Sequence, residues 1–260
     1  MRTAVVQHDI AWEDPGGTHA LVAPMIAEAA DRGARLIVLT EMYATGFSMA
    51  TERIAEPVDG PATTFLAEQA TRHDAWVAGS VATRITDDDS GLPPFVNRLH
   101  VFGPAGEHHH YDKIHPFSYA REHEHYRPGT GFVTVDIDGV RATLFVCYDL
   151  RFADEFWATA LDTDMYIVPA NWPAVRSHHW TSLLVARAIE NQAYVVAANR
   201  VGEGGHVTKL EYAGDSIVLD PLGQPVAQSA GPEPQVLVGD IDPAVVADVR
   251  STMPFLADRR

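Results

Sequence analysis

Cys147 is the only cysteine in the chain, and it closes the apolar run Ala142-Thr143-Leu144-Phe145-Val146. A helix-like pattern follows at once, so the thiol is expected on a strand-to-helix turn, with the helix N-terminus favouring the thiolate. Two other polar residues hold comparable places. Glu41 follows the buried-strand pattern Arg35 to Thr40, and Lys113 follows Glu107 to Tyr111. Ligands of α/β sheets collect at the carboxyl ends of strands. If the three strands share one sheet, the three side chains meet at one rim.

Their chemistry is complementary. A thiol with a pKa of roughly 8.5 is mostly protonated at neutral pH and needs a base. A carboxylate at Glu41 can take its proton. An ammonium at Lys113 favours the sulfur anion and, with the backbone N–H of Tyr148, can hold the oxyanion of a tetrahedral intermediate. Together they describe an acyl-transfer site without histidine.

The elements that must position these groups alternate along the chain. Strands are expected at 3–7, 35–40, 76–83, 165–169, 194–199, 215–219 and 235–241, and helices at 19–32, 62–73, 153–161 and 177–191. Hairpins are expected at 96–102 with 107–111, and at 131–137 with 141–147, the latter turning on Asp138-Gly139. Loop-like stretches lie at 86–94 and 229–234, neither long enough to separate domains. Strand–helix alternation mixed with hairpins points to α/β layers around a mixed sheet, in one domain spanning 1–260.

Composition narrows the function classes. With 35 acidic against 19 basic residues, the net charge is −16. Such a surface is repelled by nucleic acid and anionic membranes. One cysteine forms no internal disulfide, and the short apolar start Thr3 to Val6 resembles neither a leader peptide nor a membrane span. A cytoplasmic location is therefore expected. The thirteen histidines cluster at His108-His109-His110 and His123-Glu124-His125. No HExxH pattern or cysteine ligand set accompanies them, so a solvated strand face is expected rather than a metal site.

Three segments carry a family likeness: Glu41-Met42-Tyr43-Ala44-Thr45-Gly46-Phe47-Ser48, Tyr111-Asp112-Lys113-Ile114-His115-Pro116-Phe117 and Cys147-Tyr148-Asp149-Leu150-Arg151-Phe152. The chain resembles the nitrilase (carbon–nitrogen hydrolase) superfamily over nearly its whole length. That resemblance implies a four-layer αββα sandwich and a Glu-Lys-Cys triad falling on Glu41, Lys113 and Cys147. It also implies a homodimer and no cofactor. A second family glutamate, which helps position substrate, falls on Glu122 before Pro128-Gly129, with Glu124 as the alternative. Thr40 departs from the proline usual before the base.

Further segments, Glu122 to Tyr126, Ala170 to Trp180 and Ala188 to Tyr194, are similar to the bacterial ω-amidase branch. The substrate implied is a small-molecule amide, namely 2-oxoglutaramate or a related dicarboxylate monoamide, hydrolysed to ammonia through a cysteine thioester. Such a substrate carries a remote carboxylate, for which Arg151 and Arg176 are the candidate cations. Tyr43, Phe47, Phe117 and Trp172 are candidate apolar walls, and Tyr148 and Asn171 further contacts. Deaminated glutathione and carbamoyl substrates use the same triad. The rival readings are a Cys-His hydrolase using His115 and a catalytically silent interaction protein of this fold.

Overall fold

A computed structural model describes residues 1–86, 90–205 and 209–259. Asp87 to Asp89, within the loop expected at 86–94, lie outside the described residues.

The first sheet contains β1 (Arg2–Gln7), β2 (Leu36–Val38), β3 (Trp76–Arg84), β4 (Phe95–Phe102) and β5 (His108–Asp112). The second contains β6 (Thr134–Ile137), β7 (Val140–Leu144), β8 (Met165–Ala170) and β9 (Tyr194–Asn199). A separate hairpin, β10 (Val201–Gly204) with β11 (Leu210–Ala213), follows. Then β12 (Ile217–Leu219) and β13 (Pro225–Gln228) return to the second sheet, and β14 (Gln235–Asp240) to the first. The orders are β14-β1-β2-β3-β4-β5 and β13-β12-β9-β8-β7-β6, six strands each. Helices α1 (Pro15–Asp31), α2 (Thr51–Ile54), α3 (Pro61–His73), α4 (Ala153–Thr159), α5 (Ser177–Asn191) and α6 (Pro243–Thr252) complete the fold.

Strand alternation builds the layers. Val5, Leu36, Val38 and Ala78 face the second sheet, where Val135, Ile137, Ala142 and Leu144 meet them in one buried cluster. Their neighbours Ala4, Val6, Ile37 and Val77 face outward, against Val22, Ile26 and Ala29 of α1 and Leu66 and Ala70 of α3. Period-two side-chain alternation allows one strand to serve both layers. Phe156 of α4 and Trp180, Leu184 and Ala188 of α5 cover the second sheet. This is the αββα sandwich that the sequence leads one to expect.

The hairpin turn at Asp138 (φ 50°) and Gly139 (φ 83°) is left-handed at both positions, as a two-residue hairpin requires. Sequence reading misses α2, α6, β13 and both strands of the β10–β11 hairpin. The N-terminal signal of α6 is present, since Asp242 caps Ala244 N–H ahead of Pro243. The β10–β11 hairpin carries glycines that depress a strand reading, and β13 is short and exposed.

Leu144 is fully buried between the sheets. Leu144→Ala should cost about 2–5 kcal/mol in denaturant unfolding. Leu21→Ala, on the half-exposed face of α1, should change stability by less than about 0.5 kcal/mol.

Candidate active site

The first sheet delivers one half of the site. Strands β1, β2 and β3 run parallel, β4 runs against β3, and β5 against β4. The carboxyl ends of β2 and β5 and the start of β4 therefore share one rim. That rim carries Glu41, Lys113 and Asn97. The second sheet delivers the other half. Parallel strands β7 and β8 end just before Cys147 and Asn171. The three expected residues thus meet across two stacked sheets, not along one sheet, because the sandwich aligns the two rims at the same end.

Three left-handed residues mark the delivery points: Met42 (φ 40°) after Glu41, Arg121 (φ 62°) before Glu122, and Cys147 itself (φ 47°). A non-glycine residue there costs about 1–3 kcal/mol, supported by the surrounding structure. Asp149 holds the cysteine turn. Its Oδ2 accepts the Val146 N–H at 2.9 Å and the Tyr111 hydroxyl at 2.9 Å, and its Oδ1 accepts the His115 N–H at 2.9 Å. One carboxylate thereby clasps the thiol turn to the segment bearing Lys113. Burial pushes the Asp149 carboxyl up to about 6, against the opposing pull of Lys113 and these hydrogen bonds.

The charged network is almost wholly shut from water. Lys113 Nζ donates to Glu41 Oε1 at 2.8 Å and to Glu122 Oε2 at 2.9 Å. Asn97 Nδ2 donates to Glu41 Oε1 at 2.8 Å and to Glu122 Oε1 at 3.2 Å. Ser80 fixes that amide, its hydroxyl donating to Asn97 Oδ1 at 2.9 Å while accepting the Met42 N–H at 2.7 Å. The remaining Glu41 oxygen accepts the Asn171 N–H at 2.9 Å, and Glu122 also accepts the Phe117 N–H. Burial disfavours the Lys113 ammonium, but Glu122 and Glu41 outweigh it and hold its pKa well above the ordinary lysine value. Burial holds the Glu122 carboxyl above its usual range, with Lys113 opposing and Glu41 adding.

The thiol hydrogen-bonds the Glu41 carboxylate and receives the Asn171 N–H. Burial pushes its pKa well above the ordinary thiol value, the Glu41 charge adds, and Lys113 opposes without prevailing. The expected helix-end stabilisation of a thiolate is not found. Cys147–Arg151 is a 3₁₀ turn rather than the start of an α-helix, and the sulfur has little water around it. The resting group is the neutral thiol beside a base.

A cavity of about 80 Å³ opens onto Cys147 and Glu41. Tyr148, Arg151, Phe117, Asn171, Trp172 and Arg176 line it, as does Phe47. Arg151 stands over the Trp172 ring at 4.7 Å and reaches His179 Nδ1 at 3.3 Å. Arg176 stands 5.7 Å from the Phe117 ring centroid. Among the described residues neither guanidinium is ion-paired with a carboxylate. Tyr43 lies elsewhere. It is buried against α3, its hydroxyl donating to Ala62 O at 2.7 Å, so it forms no cavity wall. Glu122 joins the network, whereas Glu124 is solvent-facing and pairs with Arg121. His115 pairs with Glu155 at 3.0 Å and stacks on Phe152, away from the sulfur. Thr40 hydrogen-bonds buried His8 at 3.0 Å, and its departure from proline leaves Glu41 in place. His108 on the edge strand β5 and His100 on its neighbour β4 share a 2.9 Å contact, and no group of three or more metal-ligating side chains occurs among the described residues.

Sequence reading misses Asn97, Ser80, Asp149, Leu210 and Tyr212. A lone amide in the apolar start of β4 and an acid between Cys147 and Leu150 are the available signals for Asn97 and Asp149. Leu210 and Tyr212 carry none, because a remote hairpin brings them in.

The sequence matches the carbon–nitrogen hydrolase family over residues 2–251. It is 39% identical over 227 residues to an Escherichia coli omega-amidase, covering 87% of this chain and 84% of that one. It is 32% identical over 261 residues to a Bacillus subtilis 2-oxoglutaramate amidase, covering 98% and 96%. A solved CN-hydrolase superfamily protein from Xanthomonas campestris, with an arsenic adduct in its active site, superposes with a TM-score of 0.92 at 36% identity, covering 100% of this chain and 97% of that one. A thiol and a carboxylate at one cavity, an ammonium bonded to that carboxylate and similarity along almost the entire length have one explanation: the chain belongs to the carbon–nitrogen hydrolase family.

Proposed function

We propose that this protein hydrolyses the ω-amide of 2-oxoglutaramate or a related dicarboxylate monoamide, releasing ammonia. One observation carries the reading. The Cys147 thiol and the Glu41 carboxylate, with the Lys113 ammonium bonded to that carboxylate from beneath, stand at a cavity whose walls hold two guanidiniums without carboxylate partners. In a chain of net charge −16, such arginines suit an anionic substrate. The omega-amidase and 2-oxoglutaramate amidase similarities support the same substrate class.

Glu41 takes the thiol proton as Cys147 attacks the amide carbon. The carbonyl π electrons move to oxygen, and Lys113 with the Tyr148 N–H holds the oxyanion. Two directions of the Lys113 ammonium are already spent on carboxylates, which leaves one for this task. As the C–N bond breaks, Glu41 returns its proton to nitrogen and ammonia departs. A thioester remains. Water, deprotonated by Glu41 while Glu122 holds Lys113 in place, attacks it and restores the thiol. Phe47, Phe117 and Trp172 form the apolar walls, Asn171 orients Glu41, and Arg176 or Arg151 receives the remote carboxylate.

We also propose a cytoplasmic homodimer. No helix among the described residues is long and apolar enough to cross a membrane. Half-exposed Ile189 on α5 and Leu222 beside it offer an apolar face.

A steady-state comparison of 2-oxoglutaramate, succinamate, glutaramate, deaminated glutathione and a simple nitrile tests the reading. The dicarboxylate monoamides should have the highest kcat/KM, and a preference for the γ-linked amide or the nitrile would overturn it. Mass spectrometry should trap an acyl-enzyme that Cys147→Ala abolishes together with ammonia release. Glu41→Gln should lower kcat by about 10²–10⁴-fold. His115→Ala should lose far less, and the reverse order would favour a Cys-His hydrolase. Because burial holds the thiol pKa above its ordinary value, ultraviolet thiolate absorbance should stay absent through the neutral range.

A further inference from the structure

The β10–β11 hairpin belongs to neither large sheet, yet it supplies part of the cavity wall. Leu210 and Tyr212 are two residues apart on β11 and so share a face, and both line the cavity. Tyr212 is only 6% exposed, so its ring is packed. Its hydroxyl makes no hydrogen bond to any group among the described residues. Glu41, Cys147 and Arg176 line the same cavity, so Tyr212 shares the wall that faces the substrate. Burial first, with Arg200 opposing, pushes the phenol up to about 12, so it stays a donor through the neutral range.

The ring is held from behind by a cation. The Arg200 guanidinium stands 4.6 Å from the Tyr212 ring centroid and is itself wholly buried. It donates to Asp9 Oδ1 at 2.7 Å and to Glu203 O at 2.8 Å. Two glycines of β10 admit this support. A Cβ on Gly202 (φ +80°) would meet the Asp9 carboxylate at 2.4 Å, and one on Gly204 would meet Arg200 Nη1 at 2.4 Å. A buried guanidinium, paired with the half-exposed Asp9, and two glycines therefore fix one aromatic ring at the cavity wall, leaving its hydroxyl unspent.

We propose that Tyr212 is a specificity-determining residue whose hydroxyl donates to the carboxylate or neighbouring oxo oxygen at the remote end of the substrate, alongside the Arg176 guanidinium, with Arg200 as the positioning residue behind it. The inference rests on the dicarboxylate-monoamide reading above and deepens it. A neutral donor beside a guanidinium offers two hydrogen bonds to one carboxylate, or one each to a carboxylate and an adjacent oxo group, which a neutral aliphatic amide does not use.

Tyr212→Phe keeps the ring and removes only the oxygen. The readout is the ratio of kcat/KM for 2-oxoglutaramate over that for butyramide, with KM and kcat separated. The ratio should fall about tenfold or more, chiefly through KM, as expected for a lost hydrogen bond to a charged group. The competitive Ki of 2-oxoglutarate should rise by a similar factor. A ratio that changes less than fivefold overturns the proposal, because a merely structural defect lowers both substrates together. Arg200→Lys should lower the same ratio but add nothing further in the Tyr212→Phe background; additive losses would overturn the positioning role. If the unmodified enzyme turns over no dicarboxylate monoamide, the proposed function itself fails. If it does so and Tyr212→Phe leaves the ratio intact, only this inference fails.

Discussion

The structure depends on one buried ammonium shared by two carboxylates. Lys113, Glu41 and Glu122 are each no more than 1% exposed. Ions taken out of water cost several kcal/mol apiece unless their remaining bonds are satisfied. Here the Asn97 amide and the backbone N–H groups of Asn171 and Phe117 supply those bonds. The arrangement tolerates no missing member, since a half-satisfied polar network is worse than none. It also sets the state of the sulfur. Burial and the Glu41 charge hold the thiol pKa above its ordinary value, and the Lys113 ammonium, committed to two carboxylates, opposes them without prevailing.

That constraint explains the scaffold. Five groups from distant points of the chain must meet at one place, and the sandwich supplies two rims for them. The first sheet brings the acid, the amide and the ammonium, and the second brings the thiol and the Asn171 N–H. Asp149 joins the rims, accepting from Val146 on one side and from Tyr111 and His115 on the other. The left-handed residues at Met42, Arg121 and Cys147 cost stability locally, and their clustering at the site marks where geometry takes precedence over relaxed backbone.

Much of this was legible in the sequence because it depends on local pattern. Apolar runs ending in a single acid, lysine or cysteine give both the strand and the place of the polar group after it. The helix Ser177–Asn191 and the strand Tyr194–Asn199 were readable to the residue, since the apolar period is clear there. What was not legible depends on long-range packing. No local feature tells whether Glu41 and Cys147 share a sheet or face one another across two. Tyr43 and Phe47 are indistinguishable in the sequence, yet one packs on α3 and the other lines the cavity. In β10 the glycines read as a loop, because the carboxylate and guanidinium they make room for lie elsewhere in the chain.

The protonated state of the sulfur has a consequence for the life of the enzyme outside turnover. Peroxides and other oxidants consume thiolates, and the climb from sulfenic to sulfonic acid begins only from that anion. A nucleophile that stays capped by its own hydrogen between encounters, in a pit with little water, is sheltered from this damage. The chain has no second sulfhydryl with which to form a rescuing internal disulfide. Slow oxidation is the expected return for keeping the warhead unarmed until a carbonyl carbon is in front of it.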